Sequence, residues 1–289
     1  MVGGRAGKPG RQHIVSFMRE CRRAANAVPP PAPGRGTGVA VALSQIDRNG
    51  LNMPASYSPA AAAAREILPS MPRIVVVSPH LDDAVLSCGA LLGARPGSTV
   101  VTVYTGMPDA AHVLTDWDRR CGFGSAAEAM RERRREDARA MALVRGRGLA
   151  LGFLDSQYAA CADACLPALT EALMRTLAEL RPDAVAIPLG LLHADHVRVS
   201  DAGLMVRDAW RGPAWLAYED VPYRCLPGIV QARFARLHGR GVIAAPADLA
   251  LDTRAKPRAV AAYASQLKGL QRAPADLGRE ERYWHLVDG

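Results

Sequence analysis

The sequence predicts an α/β fold: a Rossmann-like parallel sheet with helices on both faces, and a looser C-terminal part with a hairpin and helices. Three observations predict it. Short, continuous apolar runs recur at residues 74–77, 99–104, 149–154, 184–188 and 215–218. Segments with helical periodicity separate them, and two of the runs end in dense polar clusters where the chain turns toward a helix. Strands that are apolar throughout are those buried on both faces, and their alternation with helices marks a parallel sheet.

The elements follow in order from local signals. Residues 1–71 hold Pro29, Pro30, Pro31, Pro33, Gly34, Gly36 and Gly38 and no apolar periodicity. Such a backbone buries too little to offset its ordering entropy, so a disordered N-terminal extension is expected, with the folded domain at 72–289. Met53 and Met71 offer alternative translation starts. The run Ile74-Val75-Val76-Val77 is the first strand, and residues 84–92 read as a helix. After the strand at 99–104, residues 106–124 are rich in Asp and Gly and read as a long loop. Ser125-Ala126-Ala127-Glu128 is a capping box opening a helix to about Arg145. The charge run at 131–137 on that helix is expected to face solvent. A strand at 149–154, a helix at 165–180, a strand at 184–188, a helix at 195–210 and a strand at 215–218 follow. The pattern then loosens into a hairpin around 242–251, a helix from about 254 to 270 and a short final helix near Tyr283.

Composition narrows the function. The 289 residues suit one large domain or two small ones, and 49% hydrophobic with 22% charged residues suffices for a sizeable core. No run approaches the ~18 apolar residues of a membrane-spanning helix. The net charge of +8 is lopsided: residues 1–50 carry eight basic and two acidic side chains, leaving only +2 for the rest. A basic tail on a near-neutral body argues against a nucleic-acid partner. Six cysteines in a chain this long, with no Cys-x-x-Cys pair, are no disulfide scaffold and fit a reducing cytoplasm. No glycine-rich phosphate loop follows any strand, which counts against a nucleotide cofactor.

In parallel α/β sheets ligands bind outside the carboxyl ends of the strands. There the sequence places Ser78-Pro79-His80-Leu81-Asp82-Asp83 and, after the strand at 184–188, Leu189-Gly190-Leu191-Leu192-His193-Ala194-Asp195-His196. These clusters hold three of the seven histidines. An Asp pair at a strand–helix junction also serves as an ordinary helix cap. Two such clusters on one sheet instead point to a metal. A catalytic zinc takes three His or carboxylate ligands and keeps a fourth position for water. His80 and Asp83, three apart in a turn entering a helix, can face one ion, and a histidine from the other strand end completes the set. Asp82 then lies beside the bound water, the place of a general base.

With Cys88-Gly89 added, these motifs resemble the PIG-L/LmbE family of zinc-dependent N-deacetylases, which remove acyl groups from 2-amino sugars. The resemblance covers about residues 72–286 and extends to Arg133-x-x-Glu136, Phe153-Leu154-Asp155 and Tyr263-Ala264-Ser265-Gln266. It implies zinc ligands His80, Asp83 and His196 and a general base Asp82. It implies that His193 stabilises the oxyanion or protonates the leaving amine, that Asp195 orients His193, and that Arg133 binds a substrate hydroxyl or carboxylate. The segment Tyr218-Glu219-Asp220-Val221-Pro222-Tyr223 is similar to the branch of glycopeptide-antibiotic N-acetylglucosaminyl deacetylases. Ala84 stands where the commoner pattern has Glu, and Leu81 and Ala194 where it has Pro. Leu191 replaces a tyrosine of the mycothiol-pathway relatives, which argues against that pathway. Trp117 in the 106–124 loop becomes a candidate to stack on a sugar or an aromatic aglycone.

The expected activity is therefore zinc-dependent hydrolysis of the N-acyl, foremost N-acetyl, amide of a 2-amino sugar or its conjugate, in antibiotic or other secondary-metabolite biosynthesis. The partner is a small molecule. Rivals are a non-enzymatic Rossmann-like binding protein and another metal-dependent hydrolase; a phosphoesterase would want more basic residues at the rim. Retained zinc, lost with activity on chelation, separates enzyme from binder.

Overall fold

A computed structural model describes residues 73–109, 113–158, 166–270 and 275–289. The expected disordered extension at 1–71 lies outside the described residues, as do His13, His112, Cys161 and Cys165. Five strands are parallel: β1 (Ile74–Ser78), β2 (Thr99–Tyr104), β3 (Arg147–Phe153), β4 (Ala184–Pro188) and β5 (Ala214–Tyr218). Two more, β6 (Val242–Ala247) and β7 (Tyr283–Asp288), extend one edge, with β7 antiparallel to both β5 and β6. The described residues thus form one seven-stranded sheet of order β3-β2-β1-β4-β5-β7-β6.

The helices in the first half are α1 (Asp83–Ala94), α2 (Asp116–Cys121) and α3 (Ala126–Leu143). Those in the second are α4 (Leu166–Leu180), α5 (Ala194–Ala209), α6 (Ile229–His238), α7 (Lys256–Ala261) and α8 (Ala264–Gly269). The two-residue period of a strand sends alternate side chains to opposite faces. Ile74 and Val76 pack with Leu91, Leu92, Met141 and Val260, so α1, α3 and α7 cover one face. Val75 and Val77 pack with Leu173, Leu177, Val199 and Leu237, so α4, α5 and α6 cover the other. Each fully buried aliphatic side chain contributes roughly 1.5–3 kcal/mol, so the β-branched runs hold both layers.

This order has a functional consequence. β1 lies between β2 and β4, so the connections leaving β1 and β4 diverge to opposite sides of the sheet. The crevice between their carboxyl ends is the switch point at which such sheets bind ligands. Both polar clusters open onto it.

Five expectations need correction. Residues 106–124 are not all loop: Thr115 caps α2, its Oγ1 accepting from Asp118 N (3.0 Å) while Asp118 Oδ2 accepts from Thr115 N (3.1 Å). Residues 242–251 do not form a local hairpin. β6 pairs instead with β7, which carries the Tyr283 segment expected as a helix. Flanked by β5 and β6, that segment satisfies its backbone in the ladder, and its aromatic and β-branched side chains suit a strand. The helix expected at 254–270 breaks at Tyr263 (φ −88°, ψ 52°) into α7 and α8. The 131–137 run is only half solvated: Arg133, Glu136 and Asp137 are buried. Glu136 accepts from Ser265 N (2.7 Å) and Oγ (2.6 Å), and Asp137 from Tyr263 Oη (2.8 Å).

Candidate metal centre

The turn after β1 is pinned by Ser78, whose Oγ accepts from Ala84 N (3.0 Å) and donates to His80 O (2.6 Å). This puts His80 and Asp83 on one side: Asp83 Oδ2 accepts from His80 N (2.9 Å) and lies 3.0 Å from His80 Nδ1. Asp82 occupies the cap position of α1 but makes no side-chain cap bond, so helix capping does not account for it. After β4 the chain turns at Gly190 (φ 83°), where a Cβ would come within 2.6 Å of Ser200 Cβ. It then enters α5 with His193 as cap, whose Nδ1 accepts from Asp195 N (3.2 Å). One turn on, His196 reaches back so that its Nε2 lies 3.2 Å from the same Asp83 Oδ2.

His80, Asp83 and His196, all buried, thus bring one donor atom each within 4.8 Å of the others. Donors ~2.0–2.1 Å from a tetrahedral ion sit about 3.3 Å apart, close to the 3.0 and 3.2 Å separations from Asp83 Oδ2. The other ring nitrogen of each histidine faces a buried carboxylate. His80 Nε2 is 3.2 Å from Asp195 Oδ2, and His196 Nδ1 is 2.7 Å from Asp220 Oδ1. Such partners orient metal-binding imidazoles and fix which nitrogen keeps its lone pair. A second group, His80, His193 and Asp195, also lies within 4.8 Å. Its carboxylate is already engaged by Ser156 Oγ (2.8 Å), Ser156 N (3.3 Å) and Arg198 Nη1 (2.6 Å). The first set therefore fits a divalent ion better.

The local field fits a cation too. Asp82, Asp83, Asp155, Asp195 and Asp220 converge here, and among the described residues the arginines paired to them are Arg133 and Arg198. Burial works against charge on His80 and His196. Asp155, Asp195 and Asp83 nevertheless raise the His80 pKa well above its usual value, and Asp83 and Asp220 raise that of His196 to about 9. Asp83 is held well below the usual carboxylate range, with His196 and His80 outweighing burial. Its neighbour Asp82 moves the other way, pushed up to about 6 by burial and by the Asp83 charge, against Arg133 and His80. Burial, then His80 and His196, pull His193 down to about 4.

Two expected roles look different in place. Asp195 meets His193 through its backbone N–H; its carboxylate lies 3.9 Å from His193 Nδ1 and turns to His80 instead. Arg133 is 3% exposed, and its guanidinium lies 3.8 Å from Asp82 and 3.5 Å from Asp155, facing carboxylates rather than an open pocket. Trp117, on α2, donates from Nε1 to Gln266 Oε1 (3.0 Å), with Arg120 5.1 Å over its ring. Asp220, Asp155, Ser156 and Tyr223 were given no role from sequence. Asp155 and Asp220 each follow the end of a parallel strand, the signal by which they could have been found. Tyr223 stacks on His193 (ring centroids 6.2 Å apart, 25°) and sits edge-on to His196 at 5.2 Å.

The profile of the PIG-L family, GlcNAc-PI de-N-acetylases, matches residues 75–206, which include both motifs. The 2'-N-acetylparomamine deacetylase of Streptomyces fradiae is 34% identical over 216 residues, 67% of this chain and 73% of the relative. Among solved structures, the A40926 pseudoaglycone deacetylase Dbv21 superposes with a TM-score of 0.62 at 26% identity, over 76% of this chain and 98% of that one. The zinc-inhibited form of teicoplanin deacetylase Orf2 shares the fold, with a TM-score of 0.60 at 23% identity over 75% and 98% of the two chains. The switch-point cluster, the matching profile and the S. fradiae relative agree: this chain belongs to the PIG-L family of de-N-acetylases.

Proposed function

We propose that the protein is a zinc-dependent deacetylase that hydrolyses the N-acetyl amide of a 2-amino sugar within an antibiotic or related secondary-metabolite conjugate. The observation that carries this reading is the convergence of His80, Asp83 and His196 within 4.8 Å, with Asp82 adjoining them. The relatives named for 2'-N-acetylparomamine and for A40926 pseudoaglycone support the substrate class.

In this reading His80 Nδ1, Asp83 Oδ2 and His196 Nε2 hold the metal. A bound zinc ion supplies Lewis acidity to the amide carbonyl and lowers the pKa of a water toward ~7. Asp82 takes the proton as water attacks the carbonyl carbon. A base with a pKa of about 6 is ionised at neutral pH yet basic enough to accept it. His193 is neutral at that pH, and its Nδ1 is occupied as an acceptor, so Nε2 carries the proton. That N–H is the donor for the oxyanion of the tetrahedral intermediate, and preorganised donors of this kind supply a large part of such rate accelerations. The Asp82 carboxyl then passes its proton to the departing amine, releasing acetate and the free amino sugar. Arg133 holds the Asp82 charge in place from 3.8 Å.

The test is mass-spectrometric detection of acetyl replaced by hydrogen across a panel of N-acetylglucosamine conjugates. Free sugar, pseudodisaccharides and glycosylated peptides are presented with metal content measured on the same sample. Loss of acetyl from at least one conjugate, abolished by chelation and restored by zinc, is the expected result. Turnover that survives complete metal removal would refute it.

A further inference from the structure

We propose that Asp220 is a positioning residue that fixes the proton of His196 on Nδ1, and thereby keeps the Nε2 lone pair aimed at the metal position; this rests on the zinc reading above. Asp220 is fully buried just past the end of β5, one strand over from the segment it controls. Its two oxygens have separate partners. Oδ2 accepts from Gly190 N (2.9 Å) and Leu191 N (3.2 Å), in the turn that leads to His193. Oδ1 lies 2.7 Å from His196 Nδ1.

A carboxylate only accepts hydrogen bonds, so at 2.7 Å the imidazole nitrogen must be the donor. A histidine holds a metal as the neutral imidazole, and in that form the nitrogen other than Nδ1 carries the lone pair. That nitrogen, Nε2, is the one 3.2 Å from Asp83 Oδ2. One buried carboxylate therefore sets both the tautomer of a metal ligand and the turn between β4 and His193.

The two backbone N–H groups make the idea sharply testable. The amide in Asp220→Asn has a single acceptor oxygen, and Gly190 N–H and Leu191 N–H both claim it. The amide NH2 must then face His196 Nδ1. Nδ1 can meet it only as an acceptor, which moves the imidazole proton to Nε2 and removes the ligand lone pair. The side chain keeps its shape and volume, so the change falls on metal binding more than on packing.

The experiment is zinc affinity by chelator competition for the full chain and for Asp220→Asn, with melting temperatures of both. Alongside runs a ¹⁵N-histidine NMR spectrum of the zinc-loaded unaltered protein. Affinity in the variant is expected to fall roughly 10–100-fold, the usual cost of losing such a partner. The spectrum is expected to show the His196 proton on Nδ1. Equal zinc affinity in a folded Asp220→Asn overturns the role of Asp220 and leaves the metal reading standing. A protonated Nε2 in the zinc-loaded protein also overturns it, and decides the matter even if the variant does not fold. An unaltered protein that takes up no zinc overturns both readings together.

Discussion

Adjacent carboxylates with opposite environments are the chemical centre of this site. Asp83 faces two imidazoles and stays ionised far below the usual range, whereas Asp82 is pushed up to about 6 by burial and by that same neighbour. Groups whose environments drive their pKa values apart take different roles. A general base works only when deprotonated, so kcat/KM should be lost as pH falls through the Asp82 pKa. A dication beside Asp83 favours the Asp82 anion, so this acid limb is expected at or below about pH 6. Arg133→Met removes the larger of the two charges, Arg133 and His80, that oppose that upward shift. The limb should then move to higher pH by about 1 unit, as a pH–rate profile of both proteins would show; an unmoved limb would detach Arg133 from the base. Residue by residue, the two motifs were legible because their chemistry is local: strand end, turn, helix start. Asp155 and Asp220 stand in segments that carry the resemblance, but their roles were not legible: a single acid after a strand has no visible partner until the sheet brings one across.

At the level of elements, helix packing here depends on a few buried polar groups. α1 breaks at Cys88 (φ −130°), and the freed N–H groups of Ala90 (2.8 Å) and Leu91 (3.1 Å) donate to Glu281. The same carboxylate accepts from Lys256 Nζ (2.6 Å) and Tyr283 Oη (2.7 Å), tying α1, α7 and β7 together. Glu281→Ala strands a buried lysine and two backbone donors. Urea unfolding should show a loss of about 3–5 kcal/mol; a loss under about 1 kcal/mol would mean the ion pair carries little. Between α3 and α8, Asp137 is pushed up to about 6 by burial, with Tyr263 acting against this. A carboxyl whose folded pKa is raised binds more protons when folded. Its contribution is thus most favourable at low pH and is lost as pH rises from about 4 to about 6. Asp137→Asn should remove that dependence, which amounts to about 3 kcal/mol at most, so its advantage over the unaltered protein grows from pH 4 to pH 7. An unchanged difference between those two pH values would contradict the assignment. These contacts explain why the C-terminal elements were misread. β7 takes its character from strands far away in sequence, and the break at Tyr263 from a carboxylate on α3, neither of which local periodicity records.

For the whole molecule, β1, β2, β4 and β5 and the helices between them were readable because burial on both faces makes each of these strands a continuous apolar run. The edges were less so. β3 is largely exposed, and β6 has a Pro and small residues, so neither carries a strong pattern. The A40926 deacetylase aligns over 98% of its own length with 76% of this chain, and the proposed metal cluster of His80, Asp83 and His196 draws on residues after 72. Residues 72–289 alone are therefore expected to fold with a cooperative melt and to keep zinc and turnover, measured by calorimetry and by the deacetylation assay; an insoluble or inactive truncation would assign the first 71 residues a structural part. The division of labour between Asp82 and Asp83 is tested most directly by one measurement. Bound zinc per chain and kcat on an N-acetyl amino-sugar conjugate are determined side by side for the unaltered protein, Asp82→Asn and Asp83→Asn. Asp82→Asn should retain zinc and lose ~10²–10⁴-fold in kcat, whereas Asp83→Asn should lose zinc and activity together. Zinc lost from Asp82→Asn but kept by Asp83→Asn would exchange the two roles, and full turnover in Asp82→Asn would contradict the mechanism.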